Sequence, residues 1–128
     1  MARTLPCTPA TRAGRLAKAR QFHRAAEAIA TVSEDNELAD AYVTLCVHAG
    51  IAAADVICCA RLGEHHHGEN HTEAVELLSR ANSLGARNLK SLLDLKTRSG
   101  YGAARSSEKD QKRAGRAAAA LLRAAEDL

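Results

Sequence analysis

Aromatic side chains are nearly missing from this chain, which has one Phe, two Tyr and no Trp among its 128 residues. A core made without them must rely on Leu, Ile, Val and a large stock of Ala, and such small side chains let helices approach closely. Proline is as scarce. Both copies fall within residues 1–9, so the remainder of the chain is free of the strongest helix breaker. Runs of alternating β-branched residues are also lacking, which excludes a sheet-based core. The four cysteines show no paired C-x-x-C spacing, which excludes a zinc ribbon or a dithiol redox motif, and the amino terminus carries no secretory-signal pattern. The expectation is therefore four reduced thiols and a cytoplasmic location. No cofactor motif occurs, and none is expected.

What is present is helical and charge-segregated. A chain of this length makes one domain with a real core. Residues 1–24 carry six Lys or Arg and no acid, residues 25–79 ten acids and a single Arg, and residues 80–128 eleven bases and five acids. Basic ends and an acidic middle suit either terminal helices packed near that middle or a basic face turned to an anionic partner.

Residues 38–71 dominate the pattern. On a helical wheel Leu38, Tyr42, Leu45, Ala49, Ala52, Val56 and Ala60 form one apolar stripe, and Val43, Val47, Ile51 and Ile57 cover much of the rest. Such a helix has to be central. His48 and Asp55 interrupt its apolar run, which argues against a membrane span, and no membrane partner is expected. Its one polar band is Asp40, Thr44, His48 and Asp55. Gly63 stands where a left-handed cap would end the helix, and a polar loop with His65, His66, His67 and His71 follows.

Around that helix the pattern places four others. Residues 1–10 read as a flexible lead-in, and residues 11–128 as a single domain. A first helix over 11–32 turns Leu16, Phe22, His23, Ala26 and Ile29 to one face, with His23 as a core-edge imidazole. Ser33, Glu34, Asp35 and Asn36 are expected to cap the central helix. A short helix over 72–82, a turn at 83–86, a helix over 87–98 and a loop over 99–106 come next. Ser107 and Asp110 read as a capping box for the last helix, the cleanest amphipath. Its inner face is Ala114, Ala118, Leu121, Leu122 and Ala125; its outer face carries Lys109, Lys112, Arg113, Arg116 and Arg123, best read as solvated.

Two constellations carry chemistry. Cys58, Cys59, Glu64, His65, His66, His67, Glu69 and His71 place eight metal-ligand types within fourteen residues, with His65, His67 and His71 the best ligand set. Consecutive histidines diverge, and Cys58 and Cys59 lie about 100° apart on a helix, so a solvated loop is the simpler account. The second constellation is the polar band. His48 and Asp55 sit two turns apart on nearly one line, and with Lys96 and Tyr101 they define a polar groove between helices. Asp55 needs a basic partner, from His48, Lys96 or an arginine elsewhere. A groove of this kind suits a nucleotide or another phosphate-bearing ligand.

The strings HAGIAAADVICCARLG at 48–63 and GENHTEAVELL at 68–78, with the run from Lys96 through Tyr101 into the last helix, give the chain its family likeness. In this order it resembles the HEPN superfamily of small helical bundles, of the stand-alone actinobacterial type. The resemblance implies an all-α, up-and-down bundle of five helices that is often a homodimer. It also implies one of two activities. Many members are metal-independent ribonucleases that use an R-x4–6-H motif, and others are catalytically silent partners of nucleotidyltransferases in toxin–antitoxin or defence pairs. Arg61 with His66 or His67 meets the motif's spacing, but at the end of the second helix. At the late position where the motif normally lies, Arg98 is followed by Ala103, Ala104 and Arg105. The resemblance therefore implies a silent accessory domain that binds RNA or a nucleotide, with the Arg61 ribonuclease as the alternative. It gives His71 a structural part in fixing its loop.

Overall fold

The computed structural model describes residues 3–128. Among them five helices form an all-α bundle: α1 (Pro9–Val32), α2 (Ala39–Leu62), α3 (His71–Ala81), α4 (Ser83–Tyr101) and α5 (Glu108–Glu126). Two three-residue strands, β1 (Thr4–Pro6) and β2 (Glu64–His66), pair antiparallel with Thr4 opposite His66.

Helix α2 is the axis. It packs against α1, α4 and α5, and thirteen of its residues are buried. Gly50 makes the closest approach possible, because a Cβ there would overlap the Leu92 side chain of α4 and press on Leu121 of α5. By length and apolarity α2 could cross a membrane, but 67% of its apolar window is buried inside the bundle. On α5 the five residues of the expected inner face are all buried. The Ser107–Asp110 capping box is formed in both directions, and Gly63 ends α2 at φ 73°.

Three local expectations are corrected. Residues 83–86 continue as helix rather than turn, because Asn82 caps α4 at once, its Oδ1 accepting from Gly85 N at 2.8 Å. The 33–36 cluster supplies no side-chain cap to α2. Asp35 and Asn36 instead take left-handed backbone that reverses the chain, and Asn36 Oδ1 accepts from Gln111 of α5.

The third correction concerns the lead-in. Residues 3–7 are a strap laid along β2, with His67 N donating to Arg3 O at 2.9 Å, Cys7 N to Gly63 O at 3.0 Å and Arg3 N to Glu73 Oε1 at 3.0 Å. Cys7 and Cys59 are joined in a disulfide, so two of the four thiols expected to be reduced are not. Such short strands carry no periodicity to read, and a proline inside one counts against it. Tertiary contacts make this ribbon, which could not stand alone.

Candidate functional site

The polar band of α2 divides into two halves. Near the amino end Asp40 Oδ1 accepts from both the backbone N (2.9 Å) and the Oγ (2.6 Å) of buried Ser106, and Thr44 Oγ1 donates to Ser99 Oγ at 3.3 Å. These groups are consumed in fixing α2 against α4 and the α4–α5 loop. One to three turns further on, His48 and Asp55 open onto a cavity of about 330 Å³.

Each wall of that cavity has a sequence reason. Arg15 comes from α1, where it lies in line with Phe22 and Ile29, so the inward stripe of the helix carries it to Asp55. Its Nε donates to Asp55 Oδ2 at 2.8 Å. Lys96 of α4 follows Leu89, Leu92 and Leu93 on one helical face and ends over the same space, its Nζ 3.5 Å from His71 Nε2. Asn70 caps α3 by accepting from Glu73 N, which places His71 in the first turn facing Lys96. Strand β2 brings in His66, Gly68 and Glu69 form the lip, and Ile51, Ala54, Ala74, Leu89 and Leu93 give an apolar lining. The His48 ring packs against Phe22 with centroids 5.6 Å apart.

Two fixed cations, three imidazoles and the carboxylates of Asp55 and Glu69 thus share one small space. Burial pushes the Asp55 carboxyl above its ordinary range, against the pull of Arg15. His48 is held below the usual imidazole value by burial and then by the charges of Lys96 and Arg15. His71 is lowered by burial, by Lys96 and by His66, with Glu69 opposing. Both rings are therefore neutral near pH 7, able to donate from one nitrogen and accept at the other.

His66 is the exception in hydrogen bonding. Its side chain is 11% exposed, and its Nε2 is the one buried side-chain polar atom among the described residues that has no hydrogen-bond partner. Glu73 Oε1, already accepting from Arg3 N, stands 3.8 Å away, beyond bonding distance. A buried ring nitrogen left in this state at a cavity wall is suited to an incoming polar group.

The residues singled out from sequence separate clearly. His48, Asp55 and Lys96 line one cavity, and His66 and His71 join them. Tyr101 does not: it ends α4 at 83% exposure, away from the cavity, because the helix runs three residues past Arg98 and carries the ring into solvent. Arg61 and His67 are both exposed, and neither lines the cavity that holds His66. His65 turns its Nδ1 to the His66 carbonyl at 3.0 Å. Among the described residues no three His, Cys, Asp or Glu side chains are grouped to hold a metal ion, so His65, His67 and His71 do not form a ligand set. Cys46 and Cys58 remain thiols, pushed by burial up to about 11 and about 12. Sequence reasoning missed Arg15 and the strap, and it placed Glu69 among the possible metal ligands rather than at the lip of this cavity. Arg15 had a signal in its place on the α1 stripe, whereas the strap had none.

No protein-family model matches the chain, and no match is found to a curated protein or a solved structure.

Proposed function

We propose that this chain is a catalytically silent, HEPN-like accessory domain that holds a small phosphate-bearing ligand, a nucleotide in the first instance, in the cavity between α1, α2 and α4. In that role it serves a nucleotidyltransferase or another component of a toxin–antitoxin or defence pair. The observation that carries the reading is the orphaned Nε2 of His66 in a cavity that also holds Lys96, Arg15, His48 and His71. Lys96 is a point charge for a phosphate oxygen, and neutral imidazoles offer ring N–H donors. The apolar walls suit the ligand's uncharged body, and the volume lies at the small end of ligand pockets. The silent reading is supported by Arg61 standing outside the cavity that holds His66.

Titration of the protein with inorganic phosphate and with AMP, followed by calorimetry and by the imidazole signals of His48, His66 and His71, tests this directly. Binding should shift all three rings. Lys96→Met should weaken it about 10- to 100-fold, the worth of a charged hydrogen bond. No binding of either probe at millimolar concentration would sink the reading. RNA cleaved in chelator, with the cleavage lost in Arg61→Ala, would replace it with the ribonuclease.

A further inference from the structure

The Cys7–Cys59 disulfide does more than close a loop of sequence separation 52. It forms part of the wall of a second cleft, of about 490 Å³, together with Thr8, Pro9, Arg12, Ala13 and Leu16. No carboxylate lines this cleft, and Arg12 is an exposed cation on its rim. The two cysteines are not equally buried: Cys59 is 8% exposed in the last turn of α2, while Cys7 is half-buried. Cys46 and Cys58, the remaining thiols, are buried in the core and do not line the cleft. An anionic thiol therefore has a place to dock, a charge to dock against and, in Cys7, the less buried half of a disulfide to attack.

We propose that Cys7–Cys59 is a thiol-exchange site for small anionic thiols, and that its redox state decides whether the strap holds His66 at the ligand cavity. The coupling to ligand rests on the function proposed above; the exchange and the strap do not. The attacking thiolate forms a bond to Cys7 Sγ while the disulfide bond breaks, and the electron pair leaves on Cys59 Sγ. That sulfur takes up the proton the incoming thiol had released. A second thiolate attacks the small-molecule sulfur of the mixed disulfide and frees Cys7, which is protonated in turn. The protein disulfide is reduced to two thiols, and two thiols are oxidised to one small disulfide.

The structural consequence is local. Once the sulfur bridge is open, the strap keeps its three-residue pairing with β2 and a few hydrogen bonds from Arg3, Thr4 and Cys7, a short ribbon of the kind that is marginal without a covalent tie. Thr4 sits opposite His66 in that pairing, and Arg3 N holds Glu73, the carboxylate nearest His66 Nε2. Release of the strap frees both the backbone opposite the ring and the carboxylate beside it. The five helices keep their own contacts.

The test uses the full chain, air-oxidised, in mixtures of reduced and oxidised glutathione, with β-mercaptoethanol as the neutral thiol. Mass spectrometry should find a glutathione adduct on Cys7 and then two new thiols, at Cys7 and Cys59. Glutathione should gain a several-fold rate advantage from Arg12, after correction for thiol acidity, and Arg12→Ala should remove it. On reduction, hydrogen exchange should lose protection at His67 N and Cys7 N, and the His66 imidazole signals should shift while the helix amides stay protected. Cys7→Ser should reproduce the reduced state without added thiol. A disulfide that resists reduction until the helices unfold, or a His66 signal identical in the two states, would overturn the proposal. Neither readout needs a ligand, so failure of the oxidised protein to bind phosphate would count against the pocket alone. Where phosphate does bind, reduction should weaken it about tenfold, and equal affinity in the two states would refute the coupling.

Discussion

At the amino end of α2, Asp40 and Thr44 have every near partner they need in Ser106 and Ser99. At the carboxyl end of the same polar band, His48 and Asp55 face a cavity, and beside them a buried nitrogen of His66 bonds to nothing. One helix, one band and one pattern of polar positions thus produce two different outcomes. Where the facing element carries small hydroxyls, the band becomes an internal fastener. Where it carries Arg15 and Lys96, two cations with long stems hold the walls apart and leave room for an anion. Polarity on a buried helix marks a place that needs partners, and the partners decide between structure and site.

The largest effect that can be placed on this contrast comes from the strap. Cys7→Ser should cost up to about 4 kcal/mol of global stability by loss of loop-closure entropy, read from urea unfolding under oxidising conditions. The carboxyl end should lose its definition while the Asp40 end keeps its hydrogen-exchange protection. If protection fell equally at both ends, they would not be separable.

Asp40→Ala is the counterpart at the other end. It strips two hydrogen bonds from buried Ser106, leaving a backbone N–H and a hydroxyl without an acceptor, at about 2–3 kcal/mol. Phosphate affinity should be unchanged. A fall in affinity comparable to that of Lys96→Met would mean that the whole band acts as one site.

Acid should sharpen the comparison further. His48 and His71 have folded values below the ordinary 6.5, so the unfolded chain binds more protons between those values and about 6.5. Stability then rises with pH across that window, and acidification from neutrality destabilises the ligand-free protein. Asp55, raised by burial, acts with the opposite sign in the lower, carboxylate range. A bound phosphate favours charged rings, so its affinity should increase as pH falls, unlike that of a neutral ligand. In His48→Gln/His71→Gln both pH dependences should flatten, as measured by thermal unfolding and titration at several pH values.

The helices were legible because their information is local and repeated. The α5 inner face from Ala114 to Ala125 and the capping box at Ser107 follow from a period and a spacing, and both are found as read. His48, Asp55 and Lys96 could be placed in one groove because each lies at a definable angle on its own helix. The remainder depends on contacts between distant residues. Arg15 meets Asp55 across forty positions, and Cys7 meets Cys59 across fifty-two. The strap shows no pattern in three residues that include a proline, and its pairing exists only after α2 has ended beside it. Tyr101 departs from the groove for a smaller reason: α4 continues through it, and five helical residues put its side chain about 140° around the axis from that of Lys96.

The smallest expected effect falls on Arg61, and it discriminates because sequence spacing favours that residue while geometry does not. Its side chain is exposed in the last turn of α2, where a cation meets the negative end of the helix dipole. Arg61→Ala should therefore shift stability by no more than about 0.5 kcal/mol, and it should leave phosphate affinity and the His66 signals alone. Asp55→Asn is the informative partner to it. That change removes the charge that occupies Arg15 but keeps an oxygen for Arg15 Nε, so phosphate affinity should rise several-fold at little loss of stability. If Arg61→Ala weakened phosphate binding as strongly as Asp55→Asn improved it, the ligand would have to reach the outer end of α2. The working cation would then be the one chosen by the R-x4–6-H spacing rather than the one held by the fold.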